Sequence, residues 1–180
     1  MKRIFPLLLF FLCCCQFRLQ GQTALQTGEI LQPTELLTSG SKGNEVFIQQ
    51  AGDENTLFIT QEQSNQWFGH AAAISQTGDR NLISIRQSGD ANNAQVIQSG
   101  NDNYYNLVQS GAFNRSQVLQ QGNENIIIQE LNNTVNVETR FEQIGDQNQI
   151  IHILEGNTNQ SFFIRQQGTG LKAEVRQSGI

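Results

Sequence analysis

Glutamine returns every 11 residues through the middle of this chain, at Gln76, Gln87, Gln98, Gln109 and Gln120, and two further residue types keep the same step. Asn81, Asn92, Asn103 and Asn114 each lie six residues before a glutamine, and Gly78, Gly89, Gly100, Gly111 and Gly122 lie two after one. The unit reads Asn-x-φ-x-φ-x-Gln-x-Gly plus two residues, φ being mostly apolar. Residues 44–52 and 55–61 fit it as well, with Gln63 where glycine is expected. A fixed period of this kind marks an array of like units, none of which can bury its apolar face alone.

Within a unit the marked positions are two apart, which is the period of a strand. Asn81, Ile83, Ile85 and Gln87 therefore share one face, and Leu82, Ser84 and Arg86 take the other. Glycine followed by aspartate, as in Gly52-Asp53, Gly78-Asp79, Gly89-Asp90 and Gly145-Asp146, is turn chemistry. No proline follows Pro33, so no ladder donor is missing from the repeats. The economical fold puts two units into a flat coil and stacks the coils. The predicted class is all-β: a β-solenoid of strand-turn-strand coils, 11 residues per unit and 22 per coil. Such a coil sets Asn81 over Asn103, Ile85 over Leu107 and Gln87 over Gln109, with coils about 4.8 Å apart as in cross-β stacking. Inward amides at that spacing form ladders, which satisfy polar groups that are otherwise costly to bury. Between them Ile48, Ile59, Ile74, Ile85, Val96, Leu107 and Val118 supply a thin apolar core. Asp53 and Asp79 are expected as neighbours on one edge, repelling each other and opposing over-rapid stacking.

Composition narrows the function classes. The 26 glutamines and 18 asparagines stand against 16 acidic and 11 basic side chains, and the net charge is -5. A nucleic-acid binder needs a basic stripe that this chain lacks. Catalysis is not expected, since no Gly-x-Ser-x-Gly elbow is present and His70 and His152 read as surface residues. Neither a metal nor a cofactor is expected: the calcium-loaded solenoid with Gly-Asp turns repeats every nine residues. Mixed outward positions disfavour lattice matching to ice or polysaccharide. Trp67 and Phe68 are expected to pack back on their own sheet.

The N-terminal stretch reads as targeting. Met1-Lys2-Arg3 is a charged start and 4–15 an apolar run too short for a typical membrane helix, so residues 1–21 read as a signal peptide. Cleavage after Cys15, cleavage after Gly21 and lipidation within Cys13-Cys14-Cys15 remain alternatives. Cleavage at either point removes all three cysteines and leaves a thiol-free exported chain. Residues 22–43 share no pattern with the repeats and read as a leader; 44–180 is the repeat region.

An exported chain carrying Gln-x4-Asn-x5-Gln in tandem (Gln50-Asn55-Gln61, Gln76-Asn81-Gln87, Gln87-Asn92-Gln98, Gln98-Asn103-Gln109, Gln109-Asn114-Gln120) resembles the curlin family, the subunits of curli fibres. The resemblance implies a functional extracellular amyloid on a Gram-negative cell surface, serving adhesion and biofilm. It also implies as partners the chain itself, a second curlin-type subunit and an outer-membrane secretion machinery, with no nucleic acid and no small-molecule substrate. Residues 22–43 correspond by position to that family's export-targeting segment. The assembly ladder is then Gln50, Asn55, Gln61, Gln76, Asn81, Gln87, Asn92, Gln98, Asn103, Gln109, Asn114 and Gln120. The turn glycines are those of the repeats together with Gly52, Gly145, Gly156, Gly168 and Gly179. The alternative is a monomeric secreted β-solenoid acting as a carbohydrate- or surface-binding adhesin. Departures fall in two places. Gln61 to Gln76 spans 15 residues, an enlarged turn around Trp67-Phe68-Gly69-His70. After Gly122, Leu131 and Leu154 stand where glutamine is expected, Asn133 where glycine is and Leu171 where asparagine is. That irregular, more basic end is similar to a nucleator subunit, and major subunit against nucleator stays open.

Overall fold

The computed structural model describes residues 43–64 and 67–179. The signal peptide expected in 1–21 and the leader expected in 22–43, save Gly43, lie outside them. Among the described residues there are eleven strands: β1 (Glu45–Ala51), β2 (Thr56–Gln63), β3 (Ala71–Thr77), β4 (Leu82–Asp90), β5 (Asn93–Ser99), β6 (Tyr104–Ala112), β7 (Arg115–Gln121), β8 (Ile126–Ile144), β9 (Gln149–Glu155), β10 (Thr158–Gln167) and β11 (Lys172–Ser178). All pair in parallel, each with the strand one coil away. One sheet runs β1-β3-β5-β7 and on through the second half of β8 to β10. The other runs β2-β4-β6 and on through the first half of β8 to β9 and β11. The result is the expected all-β solenoid, of about 6 turns.

The register is the one the repeat dictates. Ile85 pairs with Leu107 and Gln87 with Gln109, while Gln63 pairs with Gly89, so it does stand in a glycine's place. Coil length is not constant, however. The ladder step is 26 residues from the first coil to the second, 22 through the regular block and 23 beyond it. The first step of 23 enters at one point. Gly111 pairs with Thr134 across a register shift, and Asn133 is bulged out with φ of 53°. Asn133 therefore does not replace a glycine: a single inserted residue in β8 displaces the pattern by one, and a bulge absorbs it.

Alternation puts Asn81, Ile83, Ile85 and Gln87 inside, all essentially without solvent contact, as expected of one strand face. The core is only two side chains thick, so opposing positions must share a fixed volume. The second inward residue of the β1 sheet reads Val46, Ala72, Ala94, Ser116 and Thr139, and that of the β2 sheet Leu57, Ile83, Tyr105, Ile127 and Ile150. Small side chains on one side thus accompany large ones on the other. In the last coil the order reverses, with Phe162 in the β1 sheet and Ala173 in the β2 sheet.

The turn glycines from Gly52 to Gly145 are required by two features at once. Gly78 has φ of 106°, and a Cβ there would lie 2.1 Å from the carbonyl oxygen of Gly100. The coil spacing brings the backbones of successive turns together, and only a residue without a side chain fits between them.

The candidate assembly ladders

Each coil carries inward amides at two kinds of position, and each kind is wired differently. Asparagines occupy the start of strands. In the β2 sheet they form the column Asn55, Asn81, Asn103, Asn125 and Asn148. Asn103 donates both its backbone N–H, at 3.0 Å, and its Nδ2, at 3.1 Å, to Oδ1 of Asn81. Its Nδ2 also donates to the carbonyl of Gly122 in the next turn, at 2.8 Å. The backbone donor fixes which way the amide faces, so the asparagine ladder always donates toward the preceding coil. It ends where Leu171 replaces asparagine and contributes only its backbone N–H, to Oδ1 of Asn148 at 3.0 Å.

Glutamines occupy the far end of the strands and donate the other way. Gln50 donates to Gln76, Gln76 to Gln98, Gln98 to Gln120, Gln120 to Gln143 and Gln143 to Gln166, each Nε2 reaching Oε1 one coil ahead at 2.5 to 3.0 Å. A second bond to a strand carbonyl sets the orientation, as from Gln120 to Tyr104 at 3.2 Å. Along each ladder the bonds polarise one another in the same sense, while the two kinds of ladder run in opposite senses. In the β2 sheet the glutamine ladder is short. Gln61 donates to Gln87 and Gln87 to Gln109, but Gln109 then meets Leu131 and its Nε2 has no partner. Leu131, Val137 and Leu154 form a small apolar cluster of their own there, joined by Phe162.

Ten of the twelve expected ladder residues fall on these columns, and Asn92 and Asn114 on the asparagine column of the β1 sheet, where Asn114 donates its backbone N–H and Nδ2 to Asn92 Oδ1 at 3.1 and 3.0 Å. Gln50 and Asn55, in the first coil, are the more open members, and the other ten are buried. The columns also include Asn125, Gln143, Asn148 and Gln166, which lie past the regular block. The sequence signal for Gln143 and Gln166 was the glycine two residues later, at Gly145 and Gly168; Asn125 and Asn148 each follow a turn glycine by three.

A third ladder runs along the turn after the β1-sheet strands. The backbone N–H of Asp53 donates to the Asp79 carboxylate at 2.8 Å, Asp79 to Asn101, Asn101 to Asn123, and Asn123 to Asp146. Asp53 and Asp79 are neighbours on one edge, as expected. There the carboxylate of one coil also accepts the backbone amide of the coil before it, because the turn aims that N–H along the stack. Beside it Arg80 holds Asp102 through two bonds of 2.8 and 2.7 Å, which keep the exposed Asp102 carboxyl below its usual range.

Neither histidine is at the surface. His70 fills an asparagine position: its backbone N–H donates to Asn44 Oδ1 at 2.9 Å and its Nδ1 accepts the backbone N–H of Asn92 at 3.1 Å. His152 replaces the glutamine and leucine of the apolar column, after Leu107 and Gln129, and lies between Phe141 and Phe162 with ring centroids 5.1 and 4.7 Å away. Neither of its ring nitrogens has a partner, and burial pushes it down to about 4. A histidine in a period-two pattern takes the face its position dictates, and both positions are inward. Gln129, also in the apolar column, is satisfied by Tyr105, Ser116 and Thr139 at 3.1, 2.6 and 2.7 Å. Phe68 packs edge-on against Phe113 at 5.7 Å across one corner, while Trp67, expected to pack back on the sheet, is 66% exposed.

Residues 78–111 match the family model described as the curlin associated repeat. That stretch of the chain carries the curlin associated repeat. Comparison with curated proteins and with solved structures finds no match. The matched window covers β4, β5 and most of β6, the block where the curlin step is 22 residues and every asparagine and glutamine is present. Outside it the curlin register continues in three dimensions although the residues depart from it: His70, Val137 and Leu171 each donate a backbone N–H to the preceding ladder asparagine, at 2.9, 3.1 and 3.0 Å.

Proposed function

We propose that this chain is a structural subunit of an extracellular curli-type fibre of a Gram-negative cell surface, acting in adhesion and biofilm and assembling by stacking its terminal coils on other copies. The observation that carries this reading is the state of the two ends. Among the described residues both terminal coils present a whole strand edge on each sheet, β1 and β2 at one end and β10 and β11 at the other, and such edges recruit further strands unless covered. Their ladder residues are complementary in direction. Gln166 ends a ladder that donates forward, and Gln50 begins one whose Oε1 has no coil before it. In the turn ladder Thr169 follows Asp146, so its N–H would meet the Asp53 carboxylate of a following copy. The proposed partners are therefore copies of the chain and a second curlin-type subunit, delivered by an outer-membrane secretion machinery.

Expression in a Gram-negative host that has the curli secretion machinery but lacks its own fibre subunits tests this. Surface fibres that bind an antibody to this chain are the expected outcome. Export of the chain as a soluble monomer, with bare cells, would remove the fibre reading and leave a monomeric solenoid.

A further inference from the structure

We propose that His70 is an acid-released latch holding the first coil to the rest of the solenoid. The step from the first coil to the second is 26 residues, not 22, and the added length lies in the corner between β2 and β3. That corner changes what a ladder residue must reach. In the next coil Asn92 donates through Nδ2 to the Ser88 carbonyl, four residues back, at 3.0 Å. At the wide corner the corresponding carbonyl is that of Glu62, eight residues back, and the longer imidazole reaches it through Nε2 at 3.1 Å. The opposite nitrogen, Nδ1, takes the place of the asparagine oxygen and accepts the backbone N–H of Asn92. The His70 backbone donates to Asn44 and accepts the N–H of Glu45 at 2.8 Å. One residue thus joins three successive coils.

These contacts admit a single protonation state. An N–H pointing at Nδ1 requires a lone pair there, so the hydrogen of the neutral ring is on Nε2, where the Glu62 carbonyl accepts it. A second proton can go only to Nδ1 and sets one donor against another. The charged groups around the ring do not reverse this. Asp90 at the end of β4 favours the proton, the Glu62 carboxylate of β2 faces Arg86 of β4 at 3.9 Å, and Glu45 of β1 meets His70 through its backbone. Burial outweighs them and holds the ring below its ordinary value. With the folded value depressed, the latch is intact above the ordinary imidazole value and weakens as pH falls below it, because the opened form takes the proton. The segment released is β1 and β2, which among the described residues have neighbouring strands on one side only.

The test is hydrogen exchange of the purified chain, corrected for intrinsic rates, at about pH 7.5 and about pH 5, either side of the ordinary imidazole value near 6.5. Protection in 44–63 should fall several-fold at the lower pH, while 92–121 keeps its protection. His70→Asn restores the ladder residue and should abolish that difference. His152 answers separately, since its protonation loosens the coils of β9 and β10. Nitrogen shifts of the His70 ring supply a second readout independent of any variant and should report hydrogen on Nε2 at neutral pH. Equal protection of 44–63 at both pH values, the same acid loss in His70→Asn, or hydrogen on Nδ1 at neutral pH would each overturn the proposal.

Discussion

Gln109 and Leu131 face one another in consecutive coils, and the Gln109 Nε2 is left without an acceptor. The glutamine ladder of the β2 sheet stops at this pair, whereas that of the β1 sheet runs unbroken from Gln50 to Gln166. The same substitution should therefore have unequal effects at two equivalent positions. Gln98→Leu leaves the Gln76 donor and the Gln120 acceptor unpaired and should cost about 1 to 3 kcal/mol for each buried group. Gln109→Leu removes one orphan but takes the acceptor from Gln87, whose Nε2 keeps only the Ala71 carbonyl at 3.4 Å, and it stacks an apolar side chain on Leu131, so its cost should be the smaller of the two. Denaturant unfolding of the two variants, with outward Ser84→Ala as control, decides the matter. Equal losses would mean that the ladders do not carry the stability assigned to them.

The residue before each ladder asparagine adopts the left-handed region, including Ala91 at φ of 52° and Phe113 at 58°, while the same turn position in the last coil is Gly170 at 70°. A non-glycine residue there stores about 1 to 2 kcal/mol. Ala91→Gly should accordingly stabilise the chain by about 0.5 to 1 kcal/mol, part of the relief being offset by a looser unfolded chain. Gly89→Ala should do the reverse far more strongly, since its Cβ would lie 2.0 Å from the Gly111 carbonyl oxygen. Thermal melts of the two variants should move in opposite directions.

Acid should act on the far coils through His152. Its ordinary value near 6.5 falls to about 4 in the fold, so the neutral ring contributes fully above 6.5 and the contribution is lost as pH falls toward 4. The loss amounts to about 3 kcal/mol at most. His152→Leu fills the column with an apolar side chain of the kind found at Leu107 and should flatten the stability profile across that window. An unchanged pH profile in the variant would show that the ring is not held neutral between Phe141 and Phe162.

Leu171 deprives the last coil of the oxygen that an asparagine would offer to the next one. If a further copy seats its first coil there, the backbone N–H of its Asn55 finds no side-chain acceptor. Leu171→Asn supplies that acceptor and should speed fibre elongation, read from seeded growth curves. Slower growth, or none, would place the growing contact elsewhere.

The period-two pattern and the 11-residue step made the sheets, the inward faces and the register legible, because stacking in register leaves each strand one choice of face. What the sequence concealed were substitutions that keep the backbone role of a ladder position while changing its side chain. Val137 and Leu171 still donate their N–H to the asparagine behind, and His70 supplies a ring nitrogen in place of an oxygen, so residue identity no longer reported position. The bulge at Asn133 hid the later units by shifting them one residue. Alternation alone does not set exposure either: Gln95 alternates outward, yet is 8% exposed, because outward neighbours such as Gln117, bonded to it at 3.1 Å, cover it. The third ladder escaped because turn aspartates look alike in sequence whether they repel or accept a backbone amide.

The central claim is that the ladders continue from one copy of the chain into the next. Fibre diffraction and electron microscopy of the purified chain after dilution from denaturant test it most directly. Unbranched fibres are predicted, with a meridional reflection at about 4.7 to 4.8 Å from the stacked coils. A soluble monomer that persists for days under these conditions, giving neither fibres nor that reflection, would contradict it.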